Sequence, residues 1–402
     1  MKTQIHPALA GRKDVQEADE ILRRCVHCGF CTATCPTYQI TGDELDGPRG
    51  RIYLIKNLLE ENDMQSDTVQ HLDRCLTCRA CETTCPSGVE YGRLLDVGRA
   101  IAKDKVTRPL PQRILTALLQ FVIPKPYLFV PLLRVGQLFR PVLPRFLKKH
   151  VPQRQPARYK EHDVSQSSEQ GNPVKVLLLS GCVQSAATPN VTASLAKILA
   201  KRGIVTERVS EGCCGSLDLH LSGHEKARQR MKQVIDRLYP RLDDCMGIVS
   251  TATGCEVTLN EYPDLLKHDP IYGPRAEALV QKLMEPSELV QGVELAADSR
   301  RVAVHVPCSM QHGLKKGLSL ELFMKELGFN VVKTRDARQC CGSAGTYSIL
   351  QPKLSEELRH KKLVGLNADK PDVIVTANVG CQLHLADDTP VVHWLELVAE
   401  SC

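Results

Sequence analysis

Over the first hundred residues the apolar positions recur with the period of a helix. Ile52, Ile55, Leu58 and Leu59 follow Pro48-Arg49-Gly50 and predict a helix over 48–60. Leu94, Leu95, Val97 and Ile101 predict another after Pro86, and 14–24 reads as a short helix. From 105 to 160 nine prolines interrupt the pattern. Proline lacks a backbone donor and clashes with the preceding turn, so only short helices are expected there. Leu115, Leu118, Leu119 and Val122 would line one face, and Leu128, Leu132, Leu133 and Leu138 another. The polar stretch 161–173 reads as a flexible linker. Beyond it the pattern alternates: β-rich runs at 174–179 and 301–306, and amphipathic helices over 195–203 and 322–328, each ending at glycine. Such alternation predicts α/β units with parallel sheets. The chain divides into 1–104, 105–173, 174–295 and 296–402.

Cysteine spacing gives the first segment its chemistry. The run C-x-x-C-x-x-C-x-x-x-C-P occurs twice, as Cys25, Cys28, Cys31, Cys35 before Pro36 and as Cys75, Cys78, Cys81, Cys85 before Pro86. In this spacing three thiolates close on one cubane iron–sulfur cluster and the fourth reaches the other cluster. One [4Fe–4S] site is therefore expected from Cys25, Cys28, Cys31 and Cys85, and a second from Cys75, Cys78, Cys81 and Cys35. Zinc needs only two C-x-x-C pairs and explains neither the extra cysteines nor the prolines. The expected fold is an all-α, ferredoxin-like domain carrying both cubanes, followed by two pseudo-symmetric α/β cysteine-rich lobes.

Composition sharpens this picture at two points. Eighteen cysteines in 402 residues are many, and the N-terminus lacks an apolar secretion signal, so metal ligation is expected rather than disulfides. No stretch of about 18 apolar residues predicts a membrane span. The net charge is +6, yet residues 105–160 hold twelve Lys and Arg and no acid, which leaves the remainder at −6. That segment is expected either to lie on an anionic membrane surface or to pack on a partner subunit.

The second half repeats. Cys182, Cys213-Cys214-Gly215 and Cys255 correspond to Cys308, Cys340-Cys341-Gly342 and Cys381, both sets spanning 73 positions. In parallel sheets the loops at strand carboxyl ends converge on one edge, so each set should close on one site.

The paired ferredoxin runs followed by two Cys…Cys-Cys-Gly…Cys repeats resemble the iron–sulfur subunits of membrane-associated flavin dehydrogenases. Within that set, the stretches CVHCGFCTATCPTYQITGDELDGPRGRIYLIK, HLDRCLTCRACETTCPSG, CCGSAGTY and IVTANVGCQLHL resemble the glycolate oxidase iron–sulfur subunits. The resemblance implies a complex whose FAD-containing subunits oxidise glycolate, or D-lactate, with electrons leaving toward a quinone or other membrane acceptor. It implies FAD only on the partner, no nucleic acid, and a cytoplasmic chain held peripherally at the inner membrane. The alternatives are a disulfide or quinone reductase with catalytic C-terminal clusters, and a lactate or glycerol-3-phosphate dehydrogenase subunit. The fullest family pattern ends each repeat C-x-x-C; here Ala252 and Asn378 stand at those positions. Four cysteines per lobe leave a four-thiolate cluster, a zinc or a redox-active dithiol open.

Among other polar residues, His27 sits inside the first cysteine loop, either as a plain loop residue or as a donor toward sulfur. His305, His312 and His384 flank the second-lobe cysteines as metal-ligand or proton-donor candidates, whereas Leu179 and Ala186 stand opposite the first two in the first lobe. Cys245 and Cys402 read as ordinary thiols. No G-x-G-x-x-G opens a helix after a strand and no phosphate loop appears, so flavin, nicotinamide and nucleotide sites are not expected on this chain. Nor does a catalytic base–nucleophile pair stand out.

Overall fold

The computed structural model describes residues 1–144, 148, 150–156, 158–159 and 175–402. The expected linker, 161–173, lies outside the described residues.

The N-terminal region is helical. Helix α1 (Lys13–Arg24), α2 (Pro48–Glu61) and α3 (Tyr91–Lys105) bury one shared core that includes Val15, Ile21, Leu22, Ile52, Ile55, Leu58, Leu94, Leu95 and Ile101. Pro48 opens α2 at a position that needs no backbone donor. Gly98 lets α2 and α3 approach closely, because a Cβ there would lie 2.7 Å from Ile55 Cγ1.

The basic segment departs from expectation. Instead of short fragments it forms α4 (Leu110–Val122) and α5 (Pro126–Phe139), with 13 and 14 residues. Pro111 and Pro126 lie in first turns, where the missing donor costs nothing. Pro131 alone is internal, where its ring removes the hydrogen bond to the carbonyl four residues before it. The expected apolar faces are only partly covered: Leu115, Leu119 and Val122 of α4 and Leu128 of α5 are half-buried. Leu110, Ile114, Leu118 and Phe121 of α4 are exposed, while its buried residue is Gln120. On α5, Leu132 and Leu138 are exposed and Leu133 is buried. No single helix among the described residues is long and apolar enough to cross a membrane; α4 and the stretch after it form a bent pair at 110°.

The remainder contains two all-parallel sheets. In the first, β1 (Lys175–Leu179), β2 (Val205–Val209) and β3 (Gly247–Ser250) lie in the order β2-β1-β3. In the second, β4 (Arg301–His305), β5 (Asn330–Val331), β6 (Val373–Thr376) and β7 (Val391–His393) lie in the order β5-β4-β6-β7. The first three strands of each lobe thus share one arrangement, and the second lobe adds an edge strand. Val176 and Leu178 face one core, Leu177 and Leu179 another, the two-sided burial expected of a parallel sheet.

One of those cores belongs to both lobes. Val176, Leu178, Val191, Leu195 and Val249 from the first lobe pack with Val302, Val304, Val373, Val375 and Trp394 from the second. The C-terminal helix α6 (Trp394–Ser401) closes this core. His393 caps it by accepting from Leu395 N–H at Nδ1, and its Nε2 reaches Thr251 O of the first lobe at 2.9 Å.

Candidate electron-transfer sites

Both cysteine runs fold the same way. His27 and Gly29 in the first run have φ of 55° and 85°; at the same positions of the second, Thr77 and Arg79 have 52° and 61°. Three of these four are not glycine, and each pays about 1–3 kcal/mol for a left-handed backbone. A matched pair of such loops curls the chain around a centre and brings its thiols inward.

The first cavity is bordered by Cys25, Cys28, Cys31 and Cys85, with His27, Tyr91 and Cys81 beside it. Cys31 has its pKa raised by burial first and then by Cys25 and Cys85. In the second run, burial followed by Cys78, Cys75 and Cys35 raises Cys81. Burial, then Cys308, Cys75 and Cys35, raises Cys78. Each fourth cysteine therefore lies with the other run's triplet. Thiols crowded in this way cannot all ionise without a cation among them, so the donor sets fit the positively charged core of an iron–sulfur cluster. His27 Nε2 is buried and unpartnered at the first cavity.

The two centres differ in surroundings. Around the first, Cys28, Val26 and Phe30 are exposed. The second is enclosed by cationic groups that the sequence did not single out. Arg51 is fully buried; its Nε donates to His71 O (2.7 Å), one Nη donates to Thr37 Oγ1 (3.1 Å), and the other lies 4.0 Å from Cys35 Sγ. Although burial opposes its charge, Cys75, Tyr91, Cys35 and Asp46 together hold Arg51 firmly protonated. Asp46, also fully buried, accepts from His71 Nδ1 (2.9 Å) and Arg74 (2.8 Å). Arg99 donates to the carbonyls of Leu72 and Cys75. A positive shell of this kind favours the added electron of a thiolate-ligated cluster. These side chains come from four separate segments.

In the lobes the cysteines follow the strand carboxyl ends at matched offsets. Cys182 and Cys308 come three residues after β1 and β4; Cys255 and Cys381 come five after β3 and β6. In the first lobe the neighbouring thiols Cys182 and Cys214 pull the pKa of Cys213 well down while Cys213 and burial push theirs up. Glu211, buried beside them, accepts from Ser180 N–H (3.0 Å) and Gly181 N–H (2.6 Å); burial raises its pKa to about 7. In the second lobe Cys340 lies 3.8 Å from Cys308, and Cys341 lies 3.3 Å from Cys381. His305 joins the latter pair: its donor nitrogen and the two sulfurs lie within 4.8 Å of one another, and both ring nitrogens lack hydrogen-bond partners. An unpaired buried imidazole facing two thiols is the donor set of a metal site.

The other two histidines diverge from His305. His312 turns to Thr83 in the second cysteine run (Nδ1 to Oγ1, 2.8 Å), and His384 Nε2 meets Ser355 Oγ at 3.2 Å. Lys362, unnoticed in the sequence, is fully buried beside the second-lobe thiols, and burial lowers its pKa to about 8. At the offset that relates Cys213 to Cys340 the first lobe has Ile235. The first site is thus acidic and the second basic.

The two halves of the chain meet at these centres. Cys78, Cys308, Cys340 and His312 border one cavity of about 1090 Å³. Leu76, Cys78, Cys308, Cys340 and Tyr347 pack in one cluster, and Arg79 pairs with Glu261.

Residues 21–89 match the 4Fe-4S dicluster domain, and residues 176–260 and 302–386 each match the cysteine-rich domain. A full-length relative is the glycolate oxidase iron-sulfur subunit of Escherichia coli (strain K12), 44% identical over 100% of this chain and 99% of that one. The probable glycolate oxidase iron-sulfur subunit of Bacillus subtilis (strain 168) is 30% identical over 93% of this chain and 90% of its own length. Lactate utilization protein A of Bacillus pumilus (strain SAFR-032) is 26% identical, spanning 53% of this chain and 90% of the relative. The chain belongs to the family of glycolate oxidase iron–sulfur subunits.

Proposed function

We propose that this chain is the electron-transfer subunit of a flavin-dependent glycolate dehydrogenase. In this reading Cys25, Cys28, Cys31 and Cys85 hold one [4Fe–4S] cluster of a ferredoxin-like domain, and Cys75, Cys78, Cys81 and Cys35 hold another. Bound there, they supply one-electron carriers between a two-electron flavin donor and a quinone-type acceptor. The chain's own residues set the order. The exposed thiol Cys28, flanked by exposed Val26 and Phe30, suits docking of a FAD-bearing partner. Arg51 and Arg99 place fixed positive charge at the interior site, and His312 and Tyr347 hold the second lobe against it. Cys308, Cys340, Cys341 and Cys381, with His305, would hold a further metal or cluster, as would Cys182, Cys213, Cys214 and Cys255 in the first lobe.

The observation that carries this reading is the shared packing of Cys78 with Cys308 and Cys340, which makes the second lobe continuous with the second cysteine run. Glycolate is preferred over D-lactate because the relatives named for glycolate align over nearly the whole chain. The exposed apolar faces of α4 and α5, in a segment without acids, favour a peripheral site on the cytoplasmic face of the inner membrane. The test is Cys341→Ser in the assembled complex, following flavin reduction by glycolate and reduction of a soluble quinone separately. Normal flavin reduction with acceptor reduction slowed at least tenfold is expected. Full acceptor reduction with unchanged metal content would make the second lobe structural only.

A further inference from the structure

A separate cavity of about 390 Å³ lies where the second cysteine run, α4 and both lobes meet. Cys75, Leu76 and Thr77 form one wall, but Cys35, Cys78 and Cys81 do not touch it, so it lies outside the ring of cluster thiols. Its other walls come from α4, from the 220–222 turn of the first lobe, and from 344–351 of the second.

Two polar groups at this cavity have no partner. Gln120 is 93% buried, and its Nε2 donates to nothing. Gly223 makes room for that amide, since a Cβ there would lie 2.8 Å from Nε2. His220 Nδ1 is likewise buried and unpartnered. Burial, and after it the charges of Arg99 and Arg79, keeps this ring neutral, with its pKa lowered to about 3. A buried unpaired donor costs about 1–3 kcal/mol, a penalty that a ligand carbonyl would remove.

The cations around the cavity are already engaged. Arg99 is bound to the carbonyls of Leu72 and Cys75, Arg108 is bidentate on Asp73, and Lys103 donates to Ser222 O. Arg113 stands exposed on α4. What the interior offers is therefore neutral donors on apolar walls such as Leu76, Leu221, Tyr347 and Leu350. That suits an uncharged ring with carbonyl acceptors better than a phosphate or carboxylate.

Helix α4 adds an independent observation. Gln112, Thr116 and Gln120 line the cavity with Arg113 and Ala117 exposed at its rim, while Leu110, Ile114, Leu118 and Phe121 continue outward from that rim and are each more than half exposed. A surface helix normally buries its apolar stripe. This one half-buries Leu115, Leu119 and Val122 but turns four other apolar side chains outward beside the chamber, the arrangement expected where the ligand is drawn from lipid.

We propose that this cavity binds the head group of a lipid-soluble quinone, with Gln120 and His220 donating to its carbonyl oxygens. The inference rests on the electron-transfer reading above and names where that transfer ends. Reduction of the quinone to quinol takes two electrons, delivered singly from the substrate-reduced complex at the Cys75 wall, and two protons from water. Both ring C=O groups become C–OH with one new O–H bond each, the ring π bonds shift to the aromatic arrangement, and hydroxide is left in the water that gave the protons.

The experiment is photolabelling of the assembled, detergent-solubilised complex with a short-tailed azidoquinone, followed by peptide mapping. Label within 110–122, 216–223 or 344–351 is expected, displaced by unlabelled quinone. Ala117→Trp, which sets a bulky ring at the exposed rim of the chamber, should weaken displacement at least tenfold with iron content and visible spectrum unchanged. Label confined to other segments, or displacement unaltered by Ala117→Trp, overturns the pocket while leaving quinone reduction intact. A complex that reduces dyes with glycolate but neither binds nor reduces any quinone defeats the acceptor reading itself, and the pocket with it.

Discussion

Thr83 Oγ1 and His312 Nδ1 meet at 2.8 Å, joining the second cysteine run to a lobe 229 positions further along the chain. Tyr347 repeats the connection nearby, its O–H donating to the carbonyl of Arg74 at 3.0 Å. Two side chains from one lobe thus grip both flanks of a single metal-binding loop, whereas the first run keeps Cys28 at the surface. The asymmetry gives the two centres different tasks although their loops share one backbone.

Arg51 is the first place to test that asymmetry. Removing one partner of a buried ion network leaves uncompensated charge, at a cost of about 3–5 kcal/mol. Arg51→Met strands part of the buried Asp46 charge, which His71 and Arg74 still meet, so a loss near 3 kcal/mol is expected. Anaerobic urea unfolding measures it. Adding Asp46→Asn should restore part of the loss; the potential of the neighbouring cluster should fall in Arg51→Met and recover part of that fall in the double variant, which removes a negative charge as well.

Crossed ligation makes a prediction of its own. Cys85→Ser should labilise the centre of Cys25, Cys28 and Cys31, although the mutated residue belongs to the second run. Anaerobic iron analysis should fall from about eight toward about four irons per N-terminal region, with the signal of the interior cluster retained. Loss of the Cys75, Cys78, Cys81 centre instead would show that each run keeps its own fourth cysteine.

Asp96 predicts an unusual pH dependence. Burial raises its pKa from 3.8 to about 7, against the attraction of Arg99 and Arg79. The folded state therefore holds a proton that the unfolded state releases, so its stabilising contribution is complete below about pH 4 and is lost as pH rises to about 7. Asp96→Asn should flatten the stability profile across that window. An unchanged slope in chemical unfolding would assign it to other groups.

The outward face of α4 can be tested with lipid. The complex is expected to bind vesicles rich in phosphatidylglycerol at low salt and to leave them in about 0.5 M salt, where screening shortens electrostatic reach to a few ångströms. Leu118→Asp with Phe121→Asp should weaken flotation with vesicles at least tenfold. A variant that still floats but loses its flavin partner would reassign the face to a subunit contact.

How much of this was legible in the sequence follows from where each residue gets its meaning. The thiols could be read because cluster ligation imposes a local spacing, and the lobe cysteines because strand ends fix their loops. Arg51, Asp46 and His71 could not, since their value comes from meeting across the fold. Lys362 hid as one lysine among many on a long helix. The exposure of Leu110, Ile114, Leu118 and Phe121 escaped for another reason: period alone locates apolar positions and says nothing of which side faces the protein.

The core shared by Val176, Leu195, Val304, Val375 and Trp394 bears on more than packing. Duplicated halves usually invite a hinge between them, and with it a gated reaction that slows in viscous solvent. Here the last helix is pinned to the first lobe, with Lys197 donating to Ala399 O at 2.7 Å and His393 to Thr251 O. The distances between the lobe sites are consequently built in at folding. Under the proposed electron-transfer reading, an electron passing between the lobe sites would cross a gap of constant width, and its rate should be indifferent to the viscosity of the medium around it.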